Sequence, residues 1–210
     1  MIKVLIADDH TLVRKGLKQI LLDTEDIESV DEAGNGKETI SKVTHEKYDL
    51  VLLDITLPGR SGIDVLKQIK CIDPELPVLI LSMHPEEQYA VRSLRAGAAG
   101  YLTKESAPQE LLNAIRRVAN GGKYISSSLA EKLAGEIGSD MGKPLHEILS
   151  DREYQVMCLI ASGKTAKEIA EDLNLSVKTI STHRARILRK MQMDNNAQIT
   201  HYAIKRGLVV

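Results

Sequence analysis

Short apolar runs alternate with amphipathic segments five times over the first 120 residues. Runs at Lys3–Ala7, Glu28–Glu32, Leu50–Leu53, Val78–Leu81 and Gly100–Thr103 are too short for helices and read as strands, the apolar ones buried on both faces. Between them, apolar positions at helical spacing predict helices at Leu12–Leu22, Gly36–Glu46, Ile63–Lys70, Glu86–Ala96 and Pro108–Asn120. Gly34-Asn-Gly36, Pro58-Gly59, Pro74, Pro77, Gly97 and Gly121-Gly122 punctuate the joins. Strict strand–helix alternation predicts an α/β domain, a doubly wound parallel sheet of five βα units with right-handed crossovers. Ser106, just ahead of Pro108, is expected to cap the fifth helix.

The pattern then changes. A short helical segment at Leu129–Ile137 leads into Gly138-Ser-Asp-Met-Gly-Lys-Pro144, small, polar and rich in breakers like a linker. No strand signal follows residue 150. Ser150-Asp-Arg-Glu153 and Thr165-Ala-Lys-Glu168 both fit a capping box, Ser176 opens a third helix and Asn195 a fourth. The expected organisation is residues 1–122 as the α/β domain, 123–147 as a linker with a short helix, and 148–210 as an all-α domain of four helices.

Charge divides the same way. Residues 1–142 hold 17 Lys and Arg against 22 Asp and Glu, whereas residues 143–210 hold 11 against 7, a basic tail behind an acidic front. A basic tail points to a polyanionic partner, and nucleic acid fits better than membrane because no amphipathic helix carries large exposed apolar residues. No run approaches the ~20 apolar residues of a membrane span. Asp8-Asp9 interrupts any signal-peptide core, and Cys71 and Cys158 sit singly, so a cytoplasmic location with reduced thiols is expected.

Candidate chemistry sits at the strand ends. The first strand runs into Asp8-Asp9 and the third into Asp54; the fourth ends at Ser82 and the fifth at Lys104. Parallel sheets bind ligands beyond the carboxyl ends of their strands. The three acids would therefore meet at one edge, an oxygen-rich site suited to Mg²⁺. With a hydroxyl and a lysine beside them, they make a phosphoryl-handling site.

A second site lies in the tail. Thr165–Leu173 forms a short helix with Ala166, Ile169, Ala170 and Leu173 on one face, and Asn174-Leu175 turns into a longer helix running from Ser176 to Met191. On that helix Ile180, Ile187 and Met191 pack inward, while Lys178, Ser181, Thr182, Ala185 and Arg189 face outward with Arg184 and Arg186 on the flanks. From Ser176 to Met193 there are five Lys and Arg and no acid. Two helices joined by a tight turn, the second basic on its outer side, make a helix-turn-helix for the major groove of double-stranded DNA.

Over nearly its whole length the chain resembles two-component response regulators of the NarL/FixJ type, a receiver domain joined to a LuxR-type helix-turn-helix domain. The receiver signature is Ala7-Asp-Asp-His10, Leu53-Asp54, Leu57-Pro58-Gly59, Ser82 and Tyr101-Leu-Thr-Lys104. The output signature is Leu149-Ser150, Arg152-Glu153, Gly163-Lys164, Lys167-Glu-Ile-Ala170, Ser176, Thr179-Ile180, His183 and Lys190-Met191. The resemblance implies a flavodoxin-like receiver in which a sensor histidine kinase phosphorylates Asp54. It implies Mg²⁺ held by Asp9, Asp54 and the Thr56 carbonyl, with Asp8 acting through water. Lys104 and Ser82 would contact the phosphoryl group, and Ser82 with Tyr101 would report it. No enzymatic turnover is implied beyond phosphorylation and dephosphorylation of Asp54 itself.

In the output domain the resemblance places Lys178, Ser181, Thr182 and Ala185 toward base edges. Lys164, Thr165, Lys167, Arg184, Arg186 and Arg189 join them in the DNA-contacting set. The closing helix, Ala197–Arg206, resembles the one through which such domains dimerise, so a homodimer on two half-sites is expected. Three departures stand out. Met83 replaces the small residue common after the hydroxyl, Glu105 replaces the Pro common after the lysine, and Ser181 and Ala185 are small where relatives carry longer polar side chains. The last shifts readout toward Arg184, Arg186 or DNA shape. Two other functions compete: a Mg²⁺-dependent phosphohydrolase, and a constitutive DNA-binding protein whose receiver no longer signals.

Overall fold

The computed structural model describes residues 1–127, 129–131 and 144–209. The chain divides into two compact units, Met1–Gly135 and Glu136–Val210.

In the first unit β1 (Ile2–Ala7), β2 (Ile27–Ala33), β3 (Leu50–Leu53), β4 (Val78–Ser82) and β5 (Gly100–Thr103) form one parallel sheet in the order β2-β1-β3-β4-β5. This is the flavodoxin-like order, in which the sheet reverses direction between β1 and β3. The connecting helices are α1 (Thr11–Leu22), α2 (Gly36–His45), α3 (Gly62–Ile72), α4 (Glu86–Arg95) and α5 (Pro108–Ala119). Successive strand residues point to opposite faces. Val4, Ile6, Leu50, Leu52, Leu79 and Leu81 therefore share one face, where they pack with Leu21 of α1 and with Leu111, Ile115 and Val118 of α5. Every residue of β3 and β4 is buried, as central strands covered on both sides require.

Two local devices set the strand ends. The Asp54 backbone amide donates to the Ala7 carbonyl at 2.9 Å, which registers the end of β3 against the end of β1. Gly62 then lies so close beneath this edge that a Cβ there would collide with the Asp54 carbonyl oxygen. One expectation fails here. Ala107, not Ser106, is the N-cap of α5, and it makes no side-chain cap hydrogen bond. Pro108 occupies the first helical position, so the cap falls on the residue directly before it and Ser106 is one too early. The Ser106 hydroxyl instead approaches that of Thr103 at 3.4 Å.

Beyond α5 the chain stays with the first unit. The Tyr124 amide donates to the Ala99 carbonyl at 2.9 Å, and its hydroxyl donates to Glu110 at 2.9 Å. Of the helical segment expected at 129–137, residues 129–131 are helical; the remainder, and the linker at 138–143, lie outside the described residues.

Among the described residues the second unit begins with a 3-10 turn at Leu145–Ile148, which periodicity does not predict, followed by α6 (Asp151–Ala161), α7 (Ala166–Asp172), α8 (Val177–Met191) and α9 (Asn196–Lys205). Both capping boxes form, at Ser150 with Glu153 and at Thr165 with Glu168. Asn174, at φ 52°, makes the left-handed turn between α7 and α8, a conformation asparagine tolerates better than most side chains. Ile180, Ile187 and Met191 are buried with Ile169, Leu173, Met157 and Ile199. A half-buried pair, Lys190 to the buried Glu153 at 2.6 Å, ties the end of α8 to the start of α6. Among the described residues no helix is long and apolar enough to cross a membrane.

Candidate functional site

The carboxyl edge of the sheet gathers the predicted residues. Lys104, just past β5, reaches Asp8 at 2.6 Å and Asp54 at 2.7 Å, and all three side chains are nearly sealed from solvent. β1 and β3 are neighbours, which sets Asp8 beside Asp54; β5 lies two strands from β3, and a long lysine side chain spans that gap. Ser82 is fully buried at the end of β4. Asp9 and His10 complete the cluster: ligand atoms of Asp8, Asp9, His10 and Asp54 all lie within 4.8 Å of one another. The His10 ring nitrogen sits 2.9 Å from Asp9 and 3.2 Å from Asp8. Thr56 is held alongside by its amide, which donates to Asp54 at 3.1 Å.

The electrostatics are unbalanced. Burial pushes the Asp54 carboxyl up to about 6 from 3.8; Lys104 and the Thr56 amide pull it down, and Asp8 adds to the rise. Burial also disfavours the Lys104 ammonium, yet Asp54 and Asp8 more than offset this and hold it above its ordinary range. One cation between two buried carboxylates is itself well satisfied while leaving the pair short of positive charge. A third carboxylate, Asp9, increases the deficit. A divalent ion with oxygen ligands fits this donor set, and Asp8, Asp9 and Asp54 are the residues that would hold it.

Behind the acids lies a partly buried chain of hydrogen bonds. The Ser82 hydroxyl accepts from the His84 amide at 3.1 Å, and the Tyr101 hydroxyl donates to the His84 carbonyl at 2.8 Å. Tyr101 is fully buried, and burial raises its phenol above the ordinary range. The His84 ring approaches the Thr56 hydroxyl at 3.3 Å and packs at 4.9 Å from Tyr89. His84 had no sequence signal beyond its place two residues after Ser82. Met83 is 63% exposed, and the Lys104–Glu105 bond is trans, as is every peptide bond among the described residues.

In the second unit Lys178, Ser181, Thr182, Arg184, Ala185, Arg186 and Arg189 are all exposed on α8. Lys164 and Lys167 are exposed at the start of α7, where Lys164 pairs with Asp172 at 2.6 Å. Thr165 uses its hydroxyl in the α7 cap. The Arg184 guanidinium donates to Asn196 at 2.6 Å, tethering it toward α9. His183 turns inward; its Nδ1 is buried without a partner, and burial with Arg152 nearby holds the ring below its ordinary range, hence neutral.

Residues 4–116 match the response regulator receiver domain family, and residues 147–203 match the luxR family of bacterial regulatory proteins. The chain belongs to the response regulators that join a receiver domain to a LuxR-type DNA-binding domain. It is 38% identical over 209 residues to the response regulator UvrY of Escherichia coli K12, covering 99% of this chain and 96% of the relative. It is 36% identical over 214 residues to the oxygen regulatory protein NreC of Staphylococcus carnosus, covering 99% of each. Among solved structures it resembles RcsB of Salmonella enterica serovar Typhimurium bound to promoter rprA in the presence of the phosphomimetic BeF3⁻. That likeness has a TM-score of 0.64 at 28% identity, over 96% of this chain and 98% of RcsB. These matches give no support to a phosphohydrolase or to a regulator with a silent receiver.

Proposed function

We propose that Asp54 is the phosphoacceptor of this regulator and that its phosphorylation by a sensor histidine kinase controls DNA binding. The observation that carries the proposal is the buried Lys104 ammonium joining Asp8 to Asp54 at the ends of two adjacent strands. An Asp54 oxygen attacks the phosphorus of a phosphohistidine; the phosphorus–nitrogen bond breaks, and the imidazole leaves with its electron pair. Mg²⁺ bound by Asp9, Asp54 and the Thr56 carbonyl, with Asp8 acting through water, would offset charge on the carboxylate and on the transferring phosphoryl group. Lys104 exchanges its carboxylate partners for phosphoryl oxygens, and Ser82 donates its hydroxyl to another.

The relay supplies a readout. Drawing the Ser82 hydroxyl toward a phosphoryl oxygen costs the His84 amide its acceptor, and the His84 carbonyl in turn holds the Tyr101 hydroxyl. The β4–α4 connection and β5 thereby change together, a local charge event biasing a two-state element. At the other end, Lys178, Ser181, Thr182 and Ala185 face base edges while Lys164, Thr165, Lys167, Arg184, Arg186 and Arg189 lie along the phosphates. A homodimer formed through α9 presents two copies to two half-sites, and Ile204, 56% exposed on that helix, supports this.

The test is a gel shift with duplexes selected by the full chain, run with and without beryllofluoride and Mg²⁺. Affinity should rise with both present, and Asp54→Ala should abolish the rise without lowering basal binding. An equal rise in Asp54→Ala would overturn the assignment.

A further inference from the structure

The outward face of α8 carries a line of small side chains whose one hydroxyl, that of Ser181, is turned back onto the helix. Val177, Ser181 and Ala185 are spaced i, i+4 and i+8 and all are exposed, so they form one line along the helix. Val177 is 48% exposed although the same helix has a fully buried face at Ile180 and Ile187. The Ser181 hydroxyl donates to the Val177 carbonyl at 3.0 Å, and the Thr182 hydroxyl donates to the Lys178 carbonyl at 3.0 Å. A hydroxyl has a single hydrogen, so neither residue has one left to offer a base. What Thr182 retains for contact is its γ-methyl, which shares a side of the helix with the Ala185 methyl three residues on.

The surroundings name the occupant. From Ser176 to Met193 the chain holds Lys178, Arg184, Arg186, Arg189 and Lys190 and no acid. A methyl-bearing strip flanked by cations suits a polyanion that displays methyl groups. In the major groove the thymine C5-methyl is the apolar group among base edges that otherwise offer hydrogen-bond donors and acceptors.

We propose that this regulator reads thymine methyl groups through Val177, assisted by Thr182 and Ala185, in place of the donor-rich contacts of longer side chains. The proposal rests on the DNA-binding reading of the second unit and adds Val177 to its specificity-determining residues. Val177 opens α8, and the N-terminal residues of a recognition helix are the ones that meet base edges.

The test begins with duplexes selected from a random pool by the full-length protein. Each thymine of the selected half-site is then replaced singly by deoxyuridine, which keeps pairing and loses the methyl. Burying one methyl-sized group supports about a fourfold drop in affinity at the contacted position. Val177→Ala should bind the thymine duplex about as weakly as wild type binds the deoxyuridine duplex. It should also no longer distinguish the two, whereas Val177→Ile should still do so. Deoxyuridine tolerated within twofold at every position would overturn the methyl reading while leaving DNA binding intact. So would an equal loss for Val177→Ala on both duplexes. Failure to enrich any sequence would sink the DNA-binding reading itself, and the methyl reading with it.

Discussion

Asp54→Asn should make the receiver more stable, although it removes the residue on which the proposed signalling depends. In the native state Asp54 keeps its proton up to about pH 6, against 3.8 for an ordinary aspartate, chiefly because it is buried. In the unfolded chain it ionises near its ordinary value. Between these two pH values the unfolded state binds fewer protons, so stability falls as pH rises through the window and stays reduced above it. A difference of roughly two units corresponds to about 3 kcal/mol. Asparagine imitates the protonated form in shape and charge, so in EDTA at pH 7.5 the variant should exceed wild type by about that amount.

Urea unfolding, followed by circular dichroism, measures this. With a urea slope of ~2 kcal/mol/M, the midpoint of the affected transition moves up by ~1.5 M. At pH 4 the gap should shrink to about 0.6 kcal/mol, because the unfolded-state aspartate is only partly ionised there. Millimolar Mg²⁺ should narrow the gap at pH 7.5 by stabilising wild type alone, since a ligand of the native state stabilises it by mass action. A variant no more stable than wild type at pH 7.5, or an advantage that persists unchanged at pH 4, would refute the account of the acidic cluster as a charge deficit.

Other substitutions probe the remaining contacts. Lys104→Met should cost about 3 kcal/mol in EDTA at pH 7.5, because two buried carboxylates lose their cation; urea titration should show Mg²⁺ recovering most of the loss. Gly62→Ala forces a Cβ into the Asp54 carbonyl. It should lower stability by more than the ~1 kcal/mol of a typical change and slow phosphorylation by acetyl phosphate, read on phosphate-affinity gels. Lys190→Ala leaves Glu153 without its partner and should cost about 1–2 kcal/mol after solvent screening, measured by thermal melting. Burial alone would raise Glu153, but Lys190 and Ser150 more than offset it and hold the carboxyl below its ordinary range. The stabilisation is therefore present at neutral pH and should vanish as pH falls through that lowered value. Arg186→Ala should reduce the slope of log affinity against log salt by about 0.9 with sequence preference unchanged.

Much of the receiver site was legible because parallel strands oblige their carboxyl ends to share an edge. Asp8, Asp54, Ser82 and Lys104 each follow directly on an apolar run, and the alternation with helices fixes which edge that is. Lys104 bridging Asp8 and Asp54 was not legible, since it depends on strand order and on one lysine conformer crossing the sheet. His84 was invisible for a related reason: only tertiary packing brings its ring to 3.3 Å from Thr56. The turn at Leu145–Ile148 is too short to leave a helical period. The capping boxes of α6 and α7 were legible because both partners lie within four residues. The DNA face was read as a set of polar groups, yet the Ser181 and Thr182 hydroxyls are spent inside the helix, and residue type alone does not tell a back-bonded hydroxyl from a presented one.

The charge deficit at the strand ends connects stability with signalling. Burial of Asp54 beside Asp8, with only Lys104 between them, should cost the free protein stability at neutral pH, and that cost should be recoverable by whatever brings positive charge to the edge. A divalent ion bound by the acids would recover part of it. Under the proposed assignment a phosphoryl group on Asp54 would act differently: it would move negative charge outward from the buried carboxylate, give Lys104 a new set of oxygens, and offer Ser82 an acceptor. Ser82 at present accepts from the backbone that positions Tyr101. The residues that answer the phosphoryl group are thus already hydrogen-bonded to one another in its absence. Exchange of partners along that chain of hydrogen bonds, with no need for a new cavity, would under the proposed assignment carry a charge placed at one strand end to the surface formed by α4 and β5.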